Sequence, residues 1–254
     1  MTKTLKIMTG AEPFLYRAEG KKGVLLIHGY TGSPFNMKEM GKYFWENGIT
    51  AMGVRLAGHG TTPRDMAACC YEDWDNSVEE AFLQLRELCD EVYVAGLSMG
   101  GALTLNLASQ KGEDIAGIVA MCAPVEIKGW RRKLLPLAPI LGKLIPYIPN
   151  LGGSIKDPTV PEVKYNWIPL SSVPELLKLI DKVKGGLKEI KQPALLIYSE
   201  HDPLVSDNSA DYIFKTIKSE EKRLVMVSNS YHVITMDYDK EIVFREIKEF
   251  IKNG

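Results

Sequence analysis

The segment Gly96-Leu97-Ser98-Met99-Gly100 has the spacing of a turn that can present a reactive hydroxyl. It follows the apolar run 92–95 and precedes a helical pattern, so we expect a strand, a sharp turn and a helix in that order. On such a turn the serine stands clear of the backbone, and the flanking glycines let strand and helix approach without a Cβ clash. The pattern predicts that Ser98 is a nucleophile; a turn of purely structural use is the alternative.

A serine hydroxyl needs a base, and histidine is the side chain that most often supplies one. The sequence contains four histidines, His28, His59, His201 and His232. His232 lies just after the predicted strand Arg223–Ser228, and parallel sheets collect their active residues at the carboxyl ends of strands. We therefore predict that His232 is the general base, with a structural role as the alternative. His28 and His59 are expected to fix loops, and His201 to be a neighbour of the site.

The carboxylate that would orient the base is expected at the end of the preceding strand, Ala194–Ser199. Asp202 occupies that place, and the order Ser, Asp, His is typical of hydrolases whose nucleophile sits on such a turn. Asp202 is therefore predicted to hold the imidazole in its reactive tautomer. Three other acids compete for this role: Glu126, Glu200 and Asp207.

Two backbone N–H groups are expected to stabilise the negative oxygen that forms when the hydroxyl attacks a carbonyl carbon. One is the N–H of Met99, directly after the nucleophile. The other is assigned to Tyr30, in the loop His28-Gly29-Tyr30-Thr31-Gly32-Ser33-Pro34 that follows an apolar strand. Losing one such donor typically costs about 3 kcal/mol of transition-state stabilisation.

These residues need a scaffold, and most of the chain supplies one as short apolar strands that alternate with amphipathic helices. Strands that are apolar throughout favour an α/β fold with a mostly parallel central sheet and helices on both faces. The predicted strands are Pro13–Ala18, Gly23–His28, Thr50–Arg55, Glu91–Ala95, Ile115–Met121, Ala194–Ser199 and Arg223–Ser228. The predicted helices are Phe35–Trp45, Asp73–Cys89, Met99–Gln110, Asp207–Lys218 and Lys240–Lys252.

Residues 125–191 interrupt this alternation with a segment that is rich in proline. We predict an inserted helical cap there, which divides the core into residues 1–124 and 192–254. A long irregular surface loop is the alternative, but the many Leu, Ile and Trp residues argue against it. Leu141, Ile145, Trp167 and Ile168 are predicted to line an apolar site for an acyl chain, although packing of the cap onto the core would use the same residues.

The composition limits the partners that this protein can have. A net charge of −1 without a stripe of Lys and Arg argues against binding nucleic acid. Cys69, Cys70, Cys89 and Cys122 lack metal-site spacing, so no metal or cofactor is expected. With no signal-like apolar stretch and no apolar run long enough to cross a bilayer, we predict a cytoplasmic protein. The proline-rich cap leaves room for a weak contact with a lipid surface, and the oligomeric state is not predicted.

Four segments together resemble the α/β-hydrolase family: residues 28–34, the loop Arg55-Leu56-Ala57-Gly58-His59-Gly60, residues 96–101, and the Asp202/His232 pair. More narrowly, the chain resembles the small bacterial carboxylesterases and monoacylglycerol lipases. The resemblance implies the α/β-hydrolase fold and ester hydrolysis through an acyl-enzyme, on short- to medium-chain esters or monoacylglycerols. Ala57 stands where a proline would be expected, which should alter the rigidity of the loop rather than the chemistry.

Other activities could use the same three side chains. An acyltransferase or a perhydrolase would pass the acyl group to a different acceptor, and a thioesterase or a C–C hydrolase would cleave a different bond. A non-catalytic binding protein is disfavoured because binding alone needs no activated nucleophile. Dehalogenase and epoxide hydrolase chemistry is disfavoured because those reactions need a carboxylate in place of Ser98.

Overall fold

The structure of the protein is a computed structural model, which describes residues 6–126, 142, 144–151, 153–206 and 208–254. The strands, in chain order, are β1 Phe14–Tyr16, β2 Lys22–Ile27, β3 Thr50–Val54, β4 Glu91–Leu97, β5 Gly117–Met121, β6 Tyr147–Pro149, β7 Trp167–Pro169, β8 Ala194–Ser199 and β9 Lys222–Val227. The α-helices are α1 Phe35–Glu46, α2 Pro63–Ala67, α3 Tyr71–Arg86, α4 Met99–Lys111, α5 Val173–Gly186, α6 Asn208–Thr216 and α7 Lys240–Asn253.

Within these residues one large sheet has the strand order β1-β3-β2-β4-β5-β8-β9. β1 pairs with β3 in the antiparallel direction, and every other pairing in this sheet is parallel. The central strands are buried along almost their whole length, which is why they read as continuous apolar runs. The mostly parallel sheet predicted from the sequence is thereby confirmed, and it brings the carboxyl ends of β2, β4, β5, β8 and β9 to one edge.

Helices cover both faces of the sheet. α1 and α7 pack on one face, where Phe44 and Phe244 are fully buried in the same apolar cluster. α3, α4 and α6 pack on the other, where Trp74 and Leu103 belong to a second cluster. Alternate residues of β2 point into the two clusters, as the period of an extended strand requires. The sheet is thus a rigid layer between two cores, which fixes the loops at its edge.

Among the described residues between β5 and β8, the chain forms elements of two kinds. β6 and β7 form a separate antiparallel pair, with Pro149 opposite Trp167. α5, by contrast, packs against α4 and α3, and its Leu179 and Val183 are buried in the core cluster of that sheet face. The sequence did not predict β6, β7 or the five-residue helix α2. Among the described residues, every helix is too short or too polar to span a bilayer.

Candidate active site

Ser98 lies on the turn between β4 and α4 with φ 57° and ψ −119°, a conformation that costs free energy in any residue with a side chain. The sheet holds this conformation, because Ser98 N–H donates to Met121 O at 2.8 Å. From residue 92 to residue 108, Ser98 is the one residue that is not fully buried. The turn therefore lifts a single hydroxyl out of an otherwise closed strand–helix junction.

The glycines around Ser98 allow this close packing. A Cβ on Gly96 would lie 2.0 Å from Gly100 O, and one on Gly100 would lie 2.2 Å from Ile27 O. Contacts this short with backbone atoms cannot be relieved by moving a flexible side chain. Glycine at both positions thus lets α4 start directly against β2 and β4, with its amino-terminal end at the serine.

Asp202 and His232 are bonded to each other at the same edge of the sheet. His232 Nδ1 donates to Asp202 Oδ2 at 2.6 Å, and both side chains are buried. The other oxygen, Oδ1, accepts from the N–H groups of Leu204 and Val205 at 2.8 and 3.0 Å. With Nδ1 as donor, Nε2 of the neutral ring is left as an acceptor for a proton.

Burial by itself would raise the pKa of the Asp202 carboxyl. The positive charge that His232 can carry, its hydrogen bond and the two backbone N–H groups outweigh burial, so the pKa of Asp202 is lowered from its usual value. Asp202 is therefore ionised across the neutral range, as a carboxylate that stabilises an imidazolium must be.

Cys122 lies beside this pair, a contact that the sequence did not indicate. Its Sγ, the Asp202 carboxylate and a His232 nitrogen lie within 4.8 Å of one another, and all three side chains are buried. Burial, followed by the charge of Asp202, raises the pKa of the Cys122 thiol well above its usual value, so the thiol stays protonated. Among the described residues, these three are the one cluster whose side chains lie close enough together to bind a metal ion. Two ligands of one zinc ion lie roughly 3.3 Å apart. The 2.6 Å distance from His232 Nδ1 to Asp202 Oδ2 is shorter, as expected for a hydrogen bond.

The loop 28–34 runs directly past the serine. A Cβ on Gly29 would lie 3.2 Å from Ser98 Cβ and 3.8 Å from Ser98 Oγ. Among the described residues, no backbone carbonyl accepts a hydrogen bond from Tyr30 N–H or Met99 N–H. Met99 is also the first residue of α4, whose dipole favours negative charge at that end. The two N–H groups assigned from the sequence thus both flank Ser98 and are open to an acceptor.

The remaining histidines have the surroundings of structural residues. His28 Nε2 accepts from Leu56 N–H at 3.3 Å, and Nδ1 contacts Gly29 O at 3.0 Å, so the ring joins two loops. His59 is buried with its Nδ1 at 2.9 Å from Ala57 O, and His201 is exposed. Of the competing acids, Glu200 is exposed, Glu126 is partly buried and Asp207 lies outside the described residues.

Of the four residues expected to line an acyl site, the structure describes three, and these differ in how far they are exposed. Ile145 is 53% exposed and Trp167 is 51% exposed. Ile168 is partly buried and packs with Ile148 against Leu170 and Val173. Leu141 lies outside the described residues.

Several other residues that shape the site carry no motif. Asn150, Tyr165 and Ser172 hydrogen bond to the loop 28–34, and Asp237 accepts from Tyr231 N–H beside His232. They come from distant parts of the chain, so only the folded structure brings them together.

The chain matches known hydrolases over nearly its full length. The family described as serine aminopeptidase, S33 (Hydrolase_4) matches residues 18–239. A thermostable monoacylglycerol lipase of Bacillus sp. (strain H-257) is 39% identical over 250 residues, which cover 98% of both chains. A carboxylesterase of Bacillus subtilis (strain 168) is 29% identical over 249 residues, again 98% of both chains.

Solved structures give the same picture. A structure from a study of LipS and LipT, two metagenome-derived lipolytic enzymes, superimposes with a TM-score of 0.93 at 35% identity and covers 98% of this chain and 100% of that one. The monoacylglycerol lipase of Paleococcus ferrophilus superimposes with a TM-score of 0.81 at 18% identity, over 96% of this chain and 99% of that one. The α/β-hydrolase fold predicted from the four sequence segments is confirmed.

Proposed function

This chain belongs to the serine aminopeptidase, S33 family of hydrolases, and from that membership we propose that Ser98 is its nucleophile, His232 its general base and Asp202 the carboxylate that orients the base. The chain is a serine ester hydrolase, since its full-length relatives are a lipase and a carboxylesterase. The observation that carries the assignment of Ser98 is its backbone, which is held at φ 57° on the strand–helix turn, where Ser98 is the one partly exposed residue of the buried stretch 92–108.

The proposed reaction has two halves. His232 Nε2 takes the proton of Ser98 as Oγ attacks the ester carbonyl carbon, and the N–H groups of Tyr30 and Met99 hold the oxyanion. The imidazolium, stabilised by Asp202, then gives its proton to the leaving alcohol and an acyl-enzyme remains. Water activated by the same histidine attacks the acyl-enzyme, and the acid leaves.

The substrates that we propose are short- to medium-chain esters, including monoacylglycerols. The name of the Bacillus sp. relative supports this class. The segment expected to cap the site, residues 125–191, also carries exposed or partly buried apolar side chains at Ile145, Trp167 and Ile168. An apolar acyl site favours longer chains by about 0.8 kcal/mol per buried CH₂ group, so activity should rise with acyl length until the site is full.

The test uses p-nitrophenyl esters from acetate to palmitate and a series of monoacylglycerols. Ser98→Ala should lose at least about a thousandfold in kcat on every substrate, because the other groups of a triad retain little activity without the nucleophile. Ser109→Ala is the matched control, because its hydroxyl only donates to Asn106 O in the same helix. If Ser98→Ala kept near wild-type turnover, the nucleophile would be misassigned; a profile that falls from acetate onward would contradict the acyl site.

Two further proposals concern the setting of the enzyme. We propose a weak contact of the cap segment with lipid surfaces, supported by large apolar side chains that are exposed at residues 144–167. We also propose a cytoplasmic location, which is consistent with four cysteines that all remain free thiols. Fractionation of cells that express the untagged chain tests the location, since recovery outside the cytoplasmic fraction would contradict it.

A further inference from the structure

The loop that carries Tyr30 is tied to a distant part of the chain, residues 150–172. Tyr165 N–H donates to Thr31 O at 3.0 Å, so the backbones of the two segments are joined directly. The Tyr165 hydroxyl then donates to Gly58 O and accepts from Thr61 N–H, each at 2.8 Å. Tyr165 is almost fully buried, and it therefore links this segment both to the loop 28–34 and to the loop that contains Gly58 and Thr61.

Asn150 completes the connection. Its Nδ2 donates to Thr31 Oγ1 at 3.1 Å and to Tyr165 O at 2.9 Å. Its backbone N–H donates to Asn166 O at 2.8 Å, which anchors Asn150 to the strand that contains Trp167. The two N–H groups of the Asn150 carboxamide thus bind Thr31, in the loop, and Tyr165, which itself donates to Thr31 O.

Two hydroxyl groups hold the loop on either side of Thr31. Tyr30 Oη lies 2.6 Å from Ser172 Oγ, and because the Ser172 hydroxyl donates to Pro169 O at 2.7 Å, Tyr30 is the donor of the first bond. Ser33 Oγ donates to Val163 O at 2.7 Å. Every residue from 30 to 33 except Gly32 therefore bonds to the segment 150–172.

These bonds matter because Thr31 has φ 61°, a left-handed conformation that is rare for a β-branched residue. Such a conformation persists only where contacts over-determine it. The direction of the Tyr30 N–H depends on the turn that Thr31 completes. A displacement of the order of 1 Å at a catalytic group can cost about a hundredfold in rate.

We propose that Asn150 is a positioning residue, which holds Thr31 in its left-handed conformation and so aims the Tyr30 N–H at the oxyanion. This inference rests on the proposed function of Ser98 and Tyr30. It makes the geometry of the oxyanion site depend on the segment 150–172, which also contains Trp167 and Ile168 of the proposed acyl site.

The test compares Asn150→Ala and Thr31→Val with the control Ser171→Ala. Thr31→Val keeps the branched shape and removes only the Oγ1 acceptor, while the Ser171 hydroxyl bonds to Ala67 O and not to the loop. We expect kcat to fall about 10- to 100-fold in Asn150→Ala, with KM within about twofold of wild type, because a misplaced donor weakens only the transition state. The double variant should be no worse than Asn150→Ala, since both changes remove the same bond.

A trifluoromethyl ketone, which forms a hemiketal oxyanion on the serine, gives a second readout. Its inhibition constant should rise by the same factor as kcat falls, and hydrogen exchange of residues 29–33 should quicken. A loss of thermal stability without change in kcat or inhibition would overturn the proposal, and if Asn150→Ala fails to fold, Thr31→Val alone decides by the same two readouts. Faster exchange with unchanged kcat would also overturn it, whereas turnover by Ser98→Ala would show instead that the proposed function is wrong.

Discussion

Three residues other than glycine have a left-handed backbone in the described part of the chain: Thr31, Ser98 and Cys122. They follow β2, β4 and β5, three neighbouring strands, at the edge where Asp202 and His232 meet. Each such residue costs of the order of 1–3 kcal/mol, and the surrounding structure must supply that free energy. For Cys122 the sheet does so, because its N–H donates to Ile197 O at 2.9 Å. The backbone strain is therefore concentrated at the edge of the sheet that carries Ser98, Asp202 and His232.

We predict that the protein loses stability in mild acid because His28 and His59 are both fully buried. Burial, with a smaller contribution from the charge of Arg55, lowers the pKa of His59 to about 4, and burial lowers the pKa of His28 well below its usual value. The folded protein therefore favours the neutral rings, while the unfolded chain takes up protons as the pH falls below about 6.5. The contribution of these neutral rings to the unfolding free energy should be fully present above that pH. It should decrease between about pH 6.5 and 4, by up to about 3 kcal/mol for His59.

Urea unfolding at several pH values measures this effect. His59→Gln should show a shallower loss of unfolding free energy between pH 6.5 and 4 than the wild type, whatever its stability at pH 8. His201→Asn is the control, because it replaces an exposed histidine that lies outside the buried pair. An equal slope in His59→Gln and wild type would mean that His59 is not held neutral in the folded state.

At the residue scale, a sequence indicates candidate residues where the chemistry requires a local pattern. The flanking glycines indicate Ser98, and their places after strands indicate Asp202 and His232; the roles of all three stay predictions. Cys122 and Asn150 have no such pattern, because their roles come from contacts across more than 70 residues of sequence. Their neighbours are set by the three-dimensional path of the chain, which a single sequence does not reveal.

The junction of β4 and α4 is the element on which the site depends most. Gly100 lies in the first turn of α4, against the last carbonyl of β2. A methyl group there would sit 2.2 Å from Ile27 O and 2.7 Å from His28 O, so the helix would have to move away from the sheet. We predict that Gly100→Ala lowers the unfolding free energy by several kcal/mol, in the upper range for single substitutions, and abolishes activity.

Gly185, in α5, has room for a side chain, unlike Gly100. It lies near the end of α5 with no atom within 4 Å of an added Cβ. Gly185→Ala should therefore raise the unfolding free energy by about 0.5–1 kcal/mol, because alanine loses less conformational freedom on folding. Urea denaturation measures the unfolding free energy of Gly100→Ala and Gly185→Ala, and hydrolysis of p-nitrophenyl esters measures their activity. A tolerated Gly100→Ala would show that the tight contact of α4 with β2 is dispensable.

Long elements with a clear period could be predicted from the sequence, and short ones could not. α3 and the central strands appear within a few residues of their expected bounds, because burial imposes a strong apolar period on them. α2 has only five residues, and β6 and β7 have three each, too few to show any period. They are held by tertiary contacts, as the hydrogen bond from Leu170 N–H to Pro146 O beside β6 illustrates.

On the scale of the whole molecule, the alternation of apolar strands and amphipathic helices in the sequence predicts the mostly parallel sheet that the structure has. The bounds 125–191 of the inserted segment stay a prediction. Within that range one side of α5 is buried in the core, while most residues of β6 and β7 are partly or fully exposed. Leu144 is 81% exposed and Leu151 is 77% exposed, in addition to Trp167. Such a concentration of large exposed apolar side chains is typical of a surface that contacts lipid or another apolar partner.

This surface predicts weak, salt-independent binding to vesicles of zwitterionic phosphatidylcholine. The net charge of −1 offers little electrostatic attraction, so the free energy must come from apolar burial. Leu151→Ser should weaken binding in a flotation assay by about tenfold, which corresponds to about 1.4 kcal/mol. Leu83→Ser is the matched control, because Leu83 is 52% exposed but lies on α3, outside the exposed apolar residues 144–167.

Trp167 supplies an optical readout of the same contact, because a tryptophan that enters the interface shifts its fluorescence to shorter wavelength. The shift should vanish in Trp167→Phe and persist in Trp45→Phe, whose indole is 44% exposed and donates to Arg17 O near β1. Binding that disappears in high salt would contradict an apolar contact, and equal loss in Leu151→Ser and Leu83→Ser would contradict its location. A contact at Leu151 and Trp167 would bring lipid to the segment that also bonds to the loop of Tyr30, so that one surface would serve both substrate capture and the geometry of the oxyanion site.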